Sequence, residues 1–178
     1  SGTSSSNARS TGLFYTLIDK TLNNGLGGVV AGQKNMPVFM MGLNPDIAVC
    51  RHANGRDWWI ITMKDSSNIV YASCLTPSGF NAPIVQTLNY LPVPLNELGQ
   101  MSFSPDGKKF AYIYYLGPWG AINVYTRISD FDRCTGLFSN NTQINVMDPS
   151  IGIGLSFSPD SKKLYFSTSS KIYQLNVD

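Results

Sequence analysis

Short runs in which apolar and polar residues alternate recur along this chain. Residues 101–103 (Met-Ser-Phe) and 155–157 (Leu-Ser-Phe) have the period of two that marks a half-buried strand. A polar turn follows each, and then a run of aromatic and branched residues: 110–114 (Phe-Ala-Tyr-Ile-Tyr), 164–166 (Leu-Tyr-Phe) and, earlier, 58–61 (Trp-Trp-Ile-Ile). Such side chains favour a pleated, well-packed sheet, so these are second strands. After a further polar break come third strands at 69–75, 122–128 and 172–177. Fourth strands are predicted at 83–88 and, less sharply, at 137–146. Near the start, 13–19 and 36–41 read as a third and a fourth strand joined by the glycine-rich loop Asn23-Asn24-Gly25-Leu26-Gly27-Gly28.

The turn between first and second strands repeats. Residues 103–109 read Phe-Ser-Pro-Asp-Gly-Lys-Lys and residues 157–163 read Phe-Ser-Pro-Asp-Ser-Lys-Lys; a weaker copy places Ala53-Asn54-Gly55-Arg56 where Pro105-Asp106-Gly107-Lys108 stand. Proline sets φ near −65° at the first central position, and a short acceptor at the next bonds the local backbone. Gly107 supplies the left-handed residue, a place taken by Ser161 in the last copy. Four short antiparallel strands per unit of roughly 50 residues is the period of a β-propeller blade. The predicted fold class is therefore all-β: a partial, incomplete β-propeller of consecutive four-stranded antiparallel blades. Residues 1–12 read as a flexible linker or expression scar, and 13–178 as a single propeller fragment. Its parts are a half blade (13–45), two blades (46–98 and 99–150) and an incomplete blade (151–178).

The Phe-Ser-Pro-Asp-Gly-Lys-Lys box followed by an aromatic strand resembles the WD40-like repeats of TolB-type propellers. The run 52–62 (His-Ala-Asn-Gly-Arg-Asp-Trp-Trp-Ile-Ile-Thr), the run 17–27 and the terminal box 157–166 are similar to motifs of large secreted Bacteroidetes surface proteins. That resemblance implies an extracellular or cell-surface location. It also implies a parent protein with adhesion-type modules and a type IX secretion sorting domain, often linked to gliding motility.

Composition narrows the field. Charged residues are 13% of the 178, hydrophobic residues 43%, and the net charge is +2. Low charge with an ordinary apolar content excludes a disordered chain. No basic run exceeds two residues, so no nucleic-acid surface is expected. No stretch approaches the ~20 apolar residues of a membrane-spanning helix, so no membrane insertion is expected. Cys50, Cys74 and Cys134 cannot all pair with one another. They read either as small apolar residues or as one bridge with a spare thiol.

Candidate chemistry is sparse. His52 is the only histidine and stands where Ser104 and Ser158 stand in the other copies. It reads as an imidazole serving turn backbone groups, since no second histidine or nucleophile motif supports a triad or a zinc site. Asp106 and Asp160 are equivalent turn residues, and a glycosidase pair is not expected of them. No catalytic residue, metal ligand or cofactor is predicted. One of the adjacent Trp58 and Trp59 should pack between sheets while the other points away. Trp119, in the loop Gly117-Pro118-Trp119-Gly120, is the candidate ligand-binding residue together with Tyr90 and Asp46. It would stack on a sugar or a peptide, or else fold onto Pro92-Val93-Pro94. The expected function is a non-catalytic scaffold or binding module of a secreted, surface-associated protein, with a protein or glycan ligand. Association through open blade edges is a further expectation. The alternative is a propeller accompanying a peptidase or polysaccharide-degrading domain that lies outside this chain.

Overall fold

In a computed structural model of the chain, residues 10–90, 99–117, 123–148, 154–168 and 170–178 are described. All of its sheets are antiparallel. The chain divides into two compact units, one ending at Pro45 and the other running from Asp46 to Asp178.

In the first unit, β1 (Ser10–Tyr15) pairs with a later strand, whereas β2 (Ile18–Asp19) pairs with β3 (Gly28–Val29). The partner of β1 is β4 (Met36–Leu43). The single strand expected over 13–19 is thus broken in two. The break follows from hydrogen bonding at Leu17: its N–H donates to Gln33 O at 3.0 Å and its carbonyl accepts from Val30 N–H at 3.0 Å. Leu17 thereby draws residues 18–30 into a small arch of their own. Asn23 and Asn24, both left-handed at φ 52° and 57°, turn the chain inside that arch.

The second unit holds three sheets in chain order. The first contains β5 (Ala48–Arg51), β6 (Trp58–Met63), β7 (Ile69–Thr76), β8 (Gly79–Phe80) and β9 (Ile84–Thr87). Here the expected fourth strand is β9, inside the predicted 83–88, and β8 is a short extra strand ahead of it. β8 pairs with one end of β7, Leu75 opposite Phe80, and β9 pairs with the other, Ile69 opposite Thr87. The second sheet is a plain meander of β10 (Gly99–Phe103), β11 (Lys109–Leu116), β12 (Asn123–Asp132) and β13 (Leu137–Met147). Its last strand, blurred in sequence, is the longest of the four. A register shift between Ile128 and Asp130, with Asn140 opposite at φ 49°, is a β-bulge that lets β13 stay paired along its length. The third sheet is β14 (Leu155–Phe157), β15 (Lys163–Ser167) and β16 (Ile172–Asn176).

Alternation along β11 shows how the sheets stack. Phe110, Tyr112 and Tyr114 join a core with Trp59, Ile61, Val70 and Cys74 of the first sheet. Ala111 and Ile113 join another with Leu155, Phe157, Leu164 and Phe166 of the third. The second sheet is therefore buried on both faces, and burying a side chain such as Phe110 contributes roughly 1.5–3 kcal/mol. Polar side chains also join the layers. The Gln86 amide donates to Phe138 O at 2.9 Å and accepts from Phe138 N–H at 2.8 Å.

The repeat turns are built alike. Ser104 Oγ donates to Asp106 Oδ1 at 2.6 Å and accepts from Lys109 N–H at 2.9 Å; Ser158 does the same with Asp160 and Lys163 at 2.6 and 2.9 Å. Gly107 is at φ 71° and Ser161 at φ 63°, so the serine adopts the left-handed conformation that the sequence predicts for it. In the first copy His52 Nδ1 accepts from Asn54 N–H at 3.0 Å, and the imidazole stacks on Trp59 with centroids 5.4 Å apart. This is the turn role expected of it.

Candidate functional site

A groove of about 570 Å³ lies along the first strands of the first two sheets. One wall is Ile47, Val49 and Arg51 with Trp58 beside them. The other is Met101, Ser102 and Phe103 with the turn Ser104–Gly107, and Arg133 closes one end. Strand chemistry explains the groove. β5 and β10 each stand at the edge of their sheet, so one side of each has no neighbouring strand. His52 N–H donates to Asp57 O, and Ser104 N–H donates to Lys109 O, just past the two strands. With these pairs hydrogen-bonded, ladder alternation directs the N–H and C=O of Val49, Arg51, Met101 and Phe103 away from their sheets.

Two cations flank the groove. The Arg51 guanidinium sits 5.0 Å from the centroid of the Trp58 ring, a cation–π contact, and no carboxylate pairs with it among the described residues. Arg133 spends its donors on carbonyls. Nε donates to Arg51 O at 2.8 Å, Nη1 to Asp106 O at 2.9 Å and Nη2 to His52 O at 3.4 Å. It thereby ties the turn of the first sheet to that of the second. Although burial works against it, hydrogen bonds from Ser104 and Lys108 hold the Asp106 carboxyl below the usual carboxylate range. Cys50, on the same wall, is buried, and that burial pushes its thiol up to about 12, the charge of Arg133 opposing. It is an inert thiol at neutral pH. Cys50 and Cys74 lie opposite the same residue, Trp59, on its two neighbouring strands, and all three cysteines are free thiols. Cys50 and Cys74 fit the reading as small buried residues, whereas Cys134 is exposed.

The sequence candidates lie elsewhere. Trp119 lies outside the described residues. Tyr90 is half-buried: its hydroxyl bonds Ile128 O at 2.8 Å and Ser129 Oγ at 2.6 Å, and its ring faces the Arg127 guanidinium at 4.7 Å. The role it fills is an internal brace between sheets. Its burial raises the phenol pKa, with Ser129 and Arg127 opposing. Arg127 in turn donates to Tyr114 Oη at 2.9 Å and Gln143 Oε1 at 3.1 Å. Asp46 is half-buried, and burial raises its carboxyl to about 6. Neither Tyr90 nor Asp46 lines the groove. The tryptophans divide as expected: Trp59 is buried between sheets, and Trp58 is 39% exposed at the groove. Among the described residues no three His, Cys, Asp or Glu side chains gather as a metal-holding group, and no helix is long and apolar enough to cross a membrane.

The architecture is similar to that of a solved protein from Bacteroides fragilis NCTC 9343 named as a putative 6-phosphogluconolactonase. The TM-score is 0.59 at 15% identity, over 92% of this chain and 44% of that one. What the two share is the fold. This chain spans less than half the length of that protein. Kuenenia stuttgartiensis hydrazine synthase is a weaker likeness that carries no argument: TM-score 0.44, 12% identity, 85% of this chain and 46% of that one. No protein-family model matches the sequence. No curated protein matches it either. The expectation of a chain with no enzymatic role is corrected by the first likeness. Its fold is carried by a protein with an enzyme's name, so the architecture gives no ground for setting catalysis aside.

Proposed function

We propose that the chain is part of a β-propeller whose consecutive blades form a rigid platform, and that the groove between β5 and β10 is its ligand-binding cleft. The observation that carries this reading is the pair of edge strands with outward main-chain groups beside the Arg51–Trp58 contact. Repeated turns, three meanders stacked in chain order and the likeness in fold support the propeller. The protein would be secreted and associated with the cell surface, where a low-charge coat of neutral polar residues suits it. The resemblance of its repeats to secreted Bacteroidetes proteins supports that location. The ligand is a glycan or a protein segment, and open sheet edges offer a route to association with other chains.

Binding is tested by fluorescence of the chain titrated with oligosaccharides and short peptides, with Trp58→Phe as control. Quenching in the parent and none in the variant supports the reading. Quenching that survives in Trp58→Phe, or none in either protein, rejects it.

A second reading rests on the lactonase name of the similar protein. In it the chain is the propeller portion of a hydrolase. Hydrolysis of a sugar lactone by the parent protein, lost when the groove is altered by Asp106→Asn, would favour this reading.

A further inference from the structure

Comparison of the repeats shows what the groove lacks from its own chain. Leu155 directs its N–H away from the third sheet, and Gln100 of the preceding sheet takes it through Oε1 at 2.8 Å. One repeat earlier the matching donor is the N–H of Met101, at the groove. The residue matching Gln100 is Ala48, whose methyl offers no acceptor. Among the described residues nothing in the chain accepts from Met101 N–H. A donor left in this state at the wall of a groove is open to a bound acceptor. On the other wall stands the guanidinium of Arg51, paired with no carboxylate among the described residues and resting on Trp58. Arg133 adds a second cation that its carbonyl partners do not neutralise.

We propose that the groove binds an acidic saccharide, with its carboxylate on Arg51, its ring against Trp58 and an oxygen on Met101 N–H. The proposal rests on the groove being the binding cleft. A volume of about 570 Å³ suits one or two sugar rings. Main-chain groups of both signs along Val49, Arg51, Met101 and Phe103 match hydroxyls, which donate and accept alike. The exposed indole supplies the apolar plate on which a sugar ring packs. A carboxylate is selected over a neutral group because it alone pairs bidentately with the guanidinium.

The test is calorimetric titration of the chain with digalacturonate and with its neutral counterpart galactobiose, at low and at moderate salt. Binding of the acidic disaccharide at least tenfold tighter, weakened by salt, is expected. Arg51→Gln should erase that preference while leaving thermal unfolding in place. Equal affinity for the two disaccharides, or a preference that survives in Arg51→Gln, overturns the proposal. If galactobiose binds equally well and Trp58→Ala abolishes it, the cleft stands and only the acidic class falls. Binding of an aspartate-rich peptide without either disaccharide likewise removes the saccharide and keeps the cleft. No binding of any of the three removes both.

Discussion

The indole N–H of Trp59 donates to the main-chain carbonyl of Arg133 at 2.9 Å, across 74 residues of chain. The same carbonyl accepts from Ala53 N–H at 3.1 Å, and a Cβ on Gly136 would stand 2.6 Å from the Trp59 ring. One tryptophan on β6 thus docks against the tight turn between β12 and β13. Replacing Trp59 by Phe keeps an aromatic ring in the core and removes one hydrogen bond, at a cost of about 1 kcal/mol. Gly136→Ala should cost more, roughly 2–4 kcal/mol, because its φ of 74° is left-handed and the ring cannot retreat. Urea unfolding of the two variants measures both.

Arg133 is predicted to hold the turns together more than it holds the sheets. Arg133→Met removes its bonds to Arg51, His52 and Asp106 and should destabilise by roughly 1–3 kcal/mol. Hydrogen exchange should quicken most at the main-chain amides of residues 53–57 and 106–109, with the strand centres little changed.

Ser104→Ala and Ser158→Ala should have nearly equal effects, about 1–2 kcal/mol each, since each hydroxyl makes the same bonds at the same distances. A difference in thermal midpoint much larger than the error would deny the equivalence of the repeats.

Two pH windows are expected, with opposite signs. Burial raises the Asp46 carboxyl to about 6, so between its unfolded value and 6 the folded chain holds more protons than the unfolded one. Stability therefore falls as pH rises through that window. In Asp46→Asn the urea midpoint should be level between about pH 4.5 and 7, where the parent declines. Asp57, Asp132 and Asp160 are held below the usual range by hydrogen bonds from Arg56, Thr135 and Ser158 respectively. Their contribution is present above the ordinary carboxylate pKa and lost as pH falls through the depressed values, in both proteins.

The repeat turns were legible residue by residue, because a turn is local. The bonds that shape the turn, from Ser104 Oγ to Asp106, from Lys109 N–H to Ser104 Oγ and from Lys108 N–H to Asp106 Oδ1, all fall within five positions. Second strands were legible too, since β11 is apolar at every position that faces either core. The break at Leu17 and the extra strand β8 were not. The first follows from the backbone partners of Leu17, Val30 and Gln33, 13 and 16 residues away, and the second from end-to-end sharing of β7, neither of which period-two alternation encodes. The groove was hidden for a similar reason. Arg51 reads as an ordinary outward residue at a strand end, and Arg133 as part of a polar turn. Only an 82-residue contact brings them together. The signal that could have pointed there was the repeat itself: Gln100 has Ala48 as its counterpart, a change from an acceptor to a methyl beside an outward donor.

Everything proposed for the groove depends on where a ligand meets the protein. Amide chemical shifts of the isotopically labelled chain, followed through a titration with digalacturonate, test this most directly. The predicted result is saturable movement of Val49, Arg51, Met101 and Phe103 amides and of the Trp58 indole, with Tyr90 and the third sheet still. Movement centred on residues outside the groove, or no movement at saturating ligand, would contradict it.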